Sequence, residues 1–128
     1  MARLSIIGFV LVMTCAVAQA QTKIPRIGYI SGTGIASNPG PYVEALRQGL
    51  RDLGYVEGKN IIIEWRSGEG KRERADELAA ELVRLKVDVI VTSGQSMTQA
   101  TKEATSTIPI VMAQDSDPVG NGFVASLA

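Results

Sequence analysis

The sequence predicts an α/β protein, a three-layer doubly wound parallel sheet of four strands in the order 2-1-3-4. Two observations carry this. Four short apolar runs recur along the chain, and three of them, Ile61-Ile62-Ile63, Val89-Ile90-Val91 and Ile110-Val111-Met112, are continuous and mostly β-branched, as suits strands covered on both faces. Each gap between runs holds a helical pattern, so neighbouring strands must pair in parallel across right-handed helical crossovers. The strands are expected over residues 26–30, 61–65, 87–91 and 108–112.

The helices follow from spacing and punctuation. In the first, Tyr42, Leu46, Leu50 and Leu53 recur every three or four residues and are expected to form the buried stripe; Pro41 fits the first turn and Gly54 the stop. In the second, Ala75, Leu78, Ala79, Leu82 and Val83 face inward. Its charged residues Arg72, Glu73, Arg74, Asp76, Glu77, Glu81 and Arg84 are read as a solvated face laced by i,i+3 and i,i+4 pairs, not as a binding patch. The third is expected to start near Ser96, with Ser96 and Gln99 at capping-box spacing, and to fade by Thr105. A fourth is expected after Pro118.

Ahead of this pattern stands a different kind of segment. Arg3 is followed by an uncharged, mainly apolar stretch over residues 4–17 and then by Ala18-Gln19-Ala20, a small-x-small signal peptidase site, so residues 1–20 are read as a signal peptide cleaved after Ala20. Thr14, Met13 and Val12 make a poor lipobox for Cys15, which favours a soluble exported product, periplasmic or otherwise extracytoplasmic, over a lipid anchor. Cleavage removes Arg3 and Cys15, leaving 12 basic residues against 13 acidic and neither His nor Cys. The near-neutral balance and the lack of a basic stripe argue against nucleic acid as a partner. Residues 21–128 make one domain with a modest core and no disulfide.

In a 2-1-3-4 sheet the direction of winding reverses between strands one and three, and ligands sit outside the strand carboxyl ends at that switch. Three loops are therefore singled out, over residues 31–40, 92–96 and 114–118. The candidate ligand-binding residues are Ser31, Gly32, Ser93, Gly94, Gln95, Ser96, Asp115 and Asp117. Ser93 to Ser96 enter a helix whose free N–H groups and dipole suit a carboxylate, although the same residues also make an ordinary cap. Ser31 and Gly32 allow a ligand close to the backbone or form a plain loop. Asp115 and Asp117 can take an ammonium group, with Asp117 before Pro118 also reading as an N-cap. Trp65 and Arg66 offer a stacking wall and a charge, but packing against the sheet is the stronger role for Trp65.

A resemblance rests on longer segments. Leu46-Arg47-Gln48-Gly49-Leu50-Arg51-Asp52-Leu53-Gly54-Tyr55-Val56-Glu57-Gly58-Lys59-Asn60 with Ile61 to Arg66, then Leu78-Ala79-Ala80-Glu81-Leu82-Val83, Val87-Asp88-Val89-Ile90-Val91-Thr92 and Ala104 to Met112 followed by Asp117-Pro118-Val119-Gly120, resembles the substrate-binding protein family of ABC transporters, in the type I periplasmic-binding group that includes tryptophan-binding members. The resemblance implies a two-lobed clamshell that closes on a small solute and delivers it to a membrane permease. Members continue for about another domain, so residues 21–128 are expected to be the N-terminal lobe, truncated before the second. The solute expected from the helix entrance at Ser93 to Ser96 is small and carboxylate-bearing, an amino acid among the options.

Two enzyme readings compete, alongside a sensory receptor lobe on the same fold. Gly32-x-Gly34 with Glu64 matches part of a dinucleotide fingerprint, but Ser37 stands where the third glycine belongs and the loop is long for that turn. An Asp115/Asp117 acid-base or metal pair lacks His or Cys beside it and enough carboxylates for an all-oxygen shell. The expectation is a binding protein with no catalytic residues, no cofactor and no metal.

Overall fold

The structure is a computed structural model and describes residues 23–33 and 40–125; the expected signal peptide and most of the first loop lie outside the described residues. Its elements are β1 (Arg26–Ser31), α1 (Pro41–Asp52), β2 (Ile62–Ser67), a 3₁₀ turn (Arg72–Arg74), α2 (Ala75–Arg84), β3 (Val89–Ser93), α3 (Gln95–Ala104) and β4 (Ile110–Gln114). The four strands form one sheet in the order β2-β1-β3-β4, and every pairing is parallel. That is the predicted fold and strand order. Among the described residues no helix is long and apolar enough to cross a membrane.

Alternation along each strand divides the core in two. Ile27, Tyr29, Ile63 and Val91 point to the α1 face and pack with Val43 and Ile61. Ile30 and Ile90 point the other way, against Leu78, Ala79 and Leu82 of α2 and Met97 and Ala100 of α3. Gly28 lies in the middle of that second face, where a Cβ would sit 3.0 Å from both methyls of Leu82. The missing side chain lets α2 settle onto the sheet.

β1 starts where expected and ends one residue later, while β2, β3 and β4 end two residues later than the apolar runs suggest. β2 ends at Ser67, β3 at Ser93 and β4 at Gln114, because parallel register carries the pairing Ser31–Ser67, Ser31–Ser93 and Ser93–Gln114 past the last apolar residue. Hydrophobicity marks what is buried, while the ladder continues as long as a neighbour offers partners.

The stripe on α1 also needs correction. Tyr42 is 58% and Leu53 76% exposed; Val43 is the buried residue, with Leu46 and Leu50 partly buried behind it. The helix is turned so that Arg47 faces the sheet, its guanidinium 4.8 Å above the Trp65 ring and paired with Glu57, which also accepts the Trp65 indole N–H at 2.7 Å. Trp65 therefore packs, 5.0 Å from the Tyr29 ring, in the structural role expected of it. Pro41 at the helix start and Gly54 past its end behave as predicted. Gly54 has φ +89, its N–H reaches Arg51 O and the Tyr55 N–H reaches Leu50 O, a paired closure of the last turn that needs a left-handed residue.

Helix α2 buries Ala75, Leu78, Ala79 and Leu82, as read. Its charges pair differently from expectation: among the described residues no ion pair closes within the helix, and Glu81 instead meets Arg66 of β2 at 2.8 Å while Arg74 meets Glu69 at 3.5 Å. Glu81 lies over β2, where Arg66 is the nearer partner. Two expectations at helix starts fail. No side chain caps α3, so the Ser96/Gln99 capping box does not form; the helix begins one residue earlier, from Gly94. After Pro118 the described chain makes only hydrogen-bonded turns through Phe123, closed by Asp117 O to Asn121 N–H and Pro118 O to Phe123 N–H.

At the opposite end of the sheet Asp88 ties the entry to β1 to the entry to β3. Its carboxylate accepts the Arg26 backbone N–H at 2.8 Å and pairs with Lys23 at 3.1 Å. The backbone donor first and the lysine second hold its pKa below the ordinary value of 3.8. A depressed carboxylate stabilises the fold above the unfolded-state value and loses that contribution as pH falls through the folded one. Asp88→Asn is expected to lower the melting temperature at neutral pH, with the difference shrinking as pH falls below the ordinary value of 3.8 and through the lowered folded-state value. Parallel melting profiles for the two proteins from pH 7 to pH 2 would contradict this.

Candidate functional site

The carboxyl ends of the strands line up in a single row. Ser67, Ser31, Ser93 and Gln114 stand side by side across β2, β1, β3 and β4. In three of the four strands the next residue is glycine, giving Ser67-Gly68, Ser31-Gly32 and Ser93-Gly94. The row continues one step further through the glycine N–H groups: Gly68 donates to Ser31 O at 2.9 Å, Gly32 to Ser93 O at 3.4 Å and Gly94 to Gln114 O at 2.9 Å. Gly70 adds a bond to Gly32 O at 2.8 Å, which lays the β2–α2 loop over the end of β1.

Above this edge lies a cavity of about 260 Å³. Gly32, Gly70 and Gly94 form walls of bare backbone, Thr33, Lys71, Arg72, Gln95 and Ser96 form the rim, and Met97, 2% exposed, closes the bottom beside Ser93. The lining carries two cations and no acid, and neither Lys71 nor Arg72 is in an ion pair among the described residues. The uncapped first turn of α3 adds N–H groups and the positive end of its dipole.

Gly94 makes this entrance possible. Its φ of +101 and ψ of 145 fall where residues with a side chain are strained. Its carbonyl is held by the Thr98 N–H at 3.1 Å and the Thr98 hydroxyl at 3.2 Å. The Thr98 hydroxyl is in turn 2.8 Å from that of Thr92, both residues being buried. With Thr98 donating to the carbonyl, Thr92 donates to Thr98, and a one-way chain of hydroxyls fixes the turn from inside the core.

Of the predicted residues, Gly32, Ser93, Gly94, Gln95 and Ser96 come together on the cavity. Ser31 is buried beneath it, its hydroxyl turned to Thr33 N–H and O. Asp115 and Asp117 stand outside, in the turns after β4. Asp117 accepts the Gly120 N–H at 2.8 Å, a capping role. Asp115 accepts the Asn121 side-chain amide at 3.3 Å, and Asn121 in turn accepts the Gln95 amide at 3.0 Å, so Asp115 is linked to the cavity through Asn121, while its other carboxylate oxygen is buried without a partner among the described residues. Sequence reasoning missed Thr33, Gly70, Lys71, Arg72 and Met97. The threefold Ser-Gly at strand ends was the signal that could have brought in the β2–α2 loop. Among the described residues no group of three acidic, His or Cys side chains is placed to hold a metal.

A doubly wound parallel sheet with a glycine-walled cavity at its switch point is the architecture of a periplasmic-binding-protein-like α/β domain. The chain belongs to the ABC transporter substrate binding protein family, whose model matches residues 34–128. It is 36% identical over 78 residues to the tyrosine-binding protein of Clostridioides difficile, an overlap of 61% of this chain and 23% of that protein. Among solved structures it is similar to a conserved domain protein of Vibrio cholerae, with TM-score 0.69 and 32% identity over 82% of this chain, and to a ligand-free, open substrate-binding protein with adhesive properties from Clostridium difficile, with TM-score 0.66 and 28% identity over 81%. An ABC domain from Streptococcus pneumoniae in complex with L-Trp shares the fold, with TM-score 0.67 at 21% identity. The chain spans 35% of each of these three structures. The family and the relatives described by activity are binding proteins, not enzymes.

Proposed function

We propose that this chain is the N-terminal lobe of an extracytoplasmic solute-binding protein, exported by a signal peptide cut after Ala20, that takes up a small carboxylate-bearing solute and presents it to an ABC permease. An amino acid with an aromatic side chain is the solute this reading favours, by analogy with the tyrosine-binding and L-Trp-bound relatives. The observation that carries it is the cavity over the Ser-Gly strand ends, cationic at its rim and apolar at its bottom. The α-carboxylate sits at Gln95 and Ser96, near Lys71 and Arg72, where helix N–H groups and positive charge coincide. Gly32 and Gly94 let it approach the backbone. Asp115 and Asp117 shape the far loop, and Asp115 acts on the solute through Asn121 and Gln95.

At about 260 Å³ the cavity falls just under the roughly 300–1,000 Å³ of enclosed small-molecule sites. A single lobe supplies one wall, and a second lobe closing over it supplies the rest. Thermal unfolding of the full-length protein with L-tyrosine, L-tryptophan and a panel of organic acids tests the reading. A cognate ligand at 100 times its Kd is expected to stabilise by about 2.7 kcal/mol. If no amino acid or organic acid moves the midpoint while a nucleotide does, the reading falls.

A further inference from the structure

The bottom of the cavity depends on an absent side chain. Gly68 is buried at the end of β2, and a Cβ built on it would stand 2.7 Å from the terminal methyl of Met97, 3.1 Å from Lys71 O and 3.6 Å from Gly32 O. Carbon atoms do not approach to 2.7 Å without something moving, and the most mobile of these three neighbours is the methionine methyl. Its other neighbours leave it little choice of direction. Met97 is 2% exposed and packed among the buried residues of the α2–α3 core, so the open side of its side chain is the cavity it lines. The loop that carries Gly68 is fixed on its own account, by Gly68 N–H to Ser31 O and Lys71 N–H to Gly68 O, both at 2.9 Å.

From this juxtaposition we infer that Gly68 and Met97 together set the depth of the solute cavity and with it the size of side chain the protein accepts. The slot vacated by the missing Cβ of Gly68 holds the Met97 methyl down. A side chain at position 68 drives the methyl upward and makes the cavity shallower, and of its three nearest neighbours only the Lys71 carbonyl, at 3.1 Å, belongs to a rim residue. The two residues are thus determinants of specificity between larger and smaller solutes, and Gly68 acts through Met97. The inference rests on the cavity being the solute site.

Isothermal titration of the full-length protein with L-tryptophan and L-tyrosine tests it. Gly68→Ala is expected to weaken L-tryptophan by about tenfold or more and L-tyrosine by less, since overpacking penalises the larger ring more. Adding Met97→Leu shortens the chain that occupies the slot, and the double variant is expected to bind both amino acids within about threefold of the unsubstituted protein. Should Gly68→Ala fail to fold, restoration of its cooperative melting by Met97→Leu supports the same contact. The inference is overturned if Gly68→Ala binds both amino acids normally, or if Met97→Leu restores neither binding nor folding. If the unsubstituted protein binds neither amino acid, the assignment of the cavity is what fails and the inference goes with it.

Discussion

Leu82→Ala is expected to destabilise the protein by about 2–5 kcal/mol, measured by urea unfolding, and to do so without altering the slope of the transition. Leu82 is fully buried in the last turn of α2, packed in one core cluster with Ile30, Leu78 and Ile90. The sheet beneath it is closed: both its methyls press on Gly28, whose backbone forms the floor of the contact. Truncation therefore leaves a void that neither strand nor helix can refill, the condition under which the penalty lies high in its range. The same geometry yields an internal check. Gly28→Ala on its own forces Leu82 aside, whereas in the Leu82→Ala background the added methyl partly fills the void. The two changes should be less damaging together than their separate effects suggest, with a coupling of about 0.5–3 kcal/mol. A loss below about 1 kcal/mol for Leu82→Ala, or strict additivity, would place the centre of the core elsewhere.

The second large effect is expected at Gly94→Val. A β-branched residue cannot adopt φ +101 without strain of about 1–3 kcal/mol, and relief of that strain must rotate the turn from which α3 starts. Stability and solute binding are both expected to suffer, binding by more than about tenfold because the displaced N–H groups are those at the cavity rim. Gly32→Ala is the matched control for the strain. It lies on the same cavity, has none of the described residues within 4 Å of where a Cβ would go, and its φ lies outside the left-handed region, so its melting temperature should stay close to that of the parent protein. Equal destabilisation by the two substitutions would show that conformation at Gly94 is not what matters.

The architecture was legible because three signals agreed: β-branched runs, helical gaps between them and the handedness of crossovers. What periodicity alone misplaced were edges and orientations. Tyr42 and Leu53 fit the spacing of a buried stripe, but α1 turns Val43 to the sheet with Leu46 and Leu50 behind it, and the aromatic ring of Trp65 takes the guanidinium of Arg47 as its cover. Ser96 and Gln99 had the spacing of a cap, yet a glycine with positive φ set the helix start one residue earlier. Ser93 and Gln114 were read as loop and Ser67 lies beyond the expected strand end at residue 65, although the ladder pairs all three as strand.

The site was half legible for a related reason. The switch-point rule correctly brings the ends of β1 and β3 together, and Gly32, Ser93, Gly94, Gln95 and Ser96 followed from it. Lys71 and Arg72 were lost in a charged stretch whose bulk is solvated; only the fold back of Gly70 onto Gly32 O separates those two from the rest. Met97 was hidden because a buried methionine on a helix reads as core, and here it is core on one side and cavity on the other. Asp115 and Asp117 were included for their loop position; the structure places them off the cavity lining, Asp117 bonded to the Gly120 N–H and Asp115 to the Asn121 amide through one oxygen, with its other oxygen buried and unpartnered among the described residues.

The aligned Ser-Gly termini have an evolutionary corollary. Each loop springs from a separate strand and is anchored by a main-chain bond that any sequence following the glycine can keep. Insertions, deletions or wholesale replacement beyond that anchor leave the β-ladder undisturbed. If the cavity is the solute site proposed above, such a platform can be retuned for other ligands one segment at a time, and grafting the segment between Gly68 and Ala75 from a relative with a different ligand is the shortest route to an altered specificity.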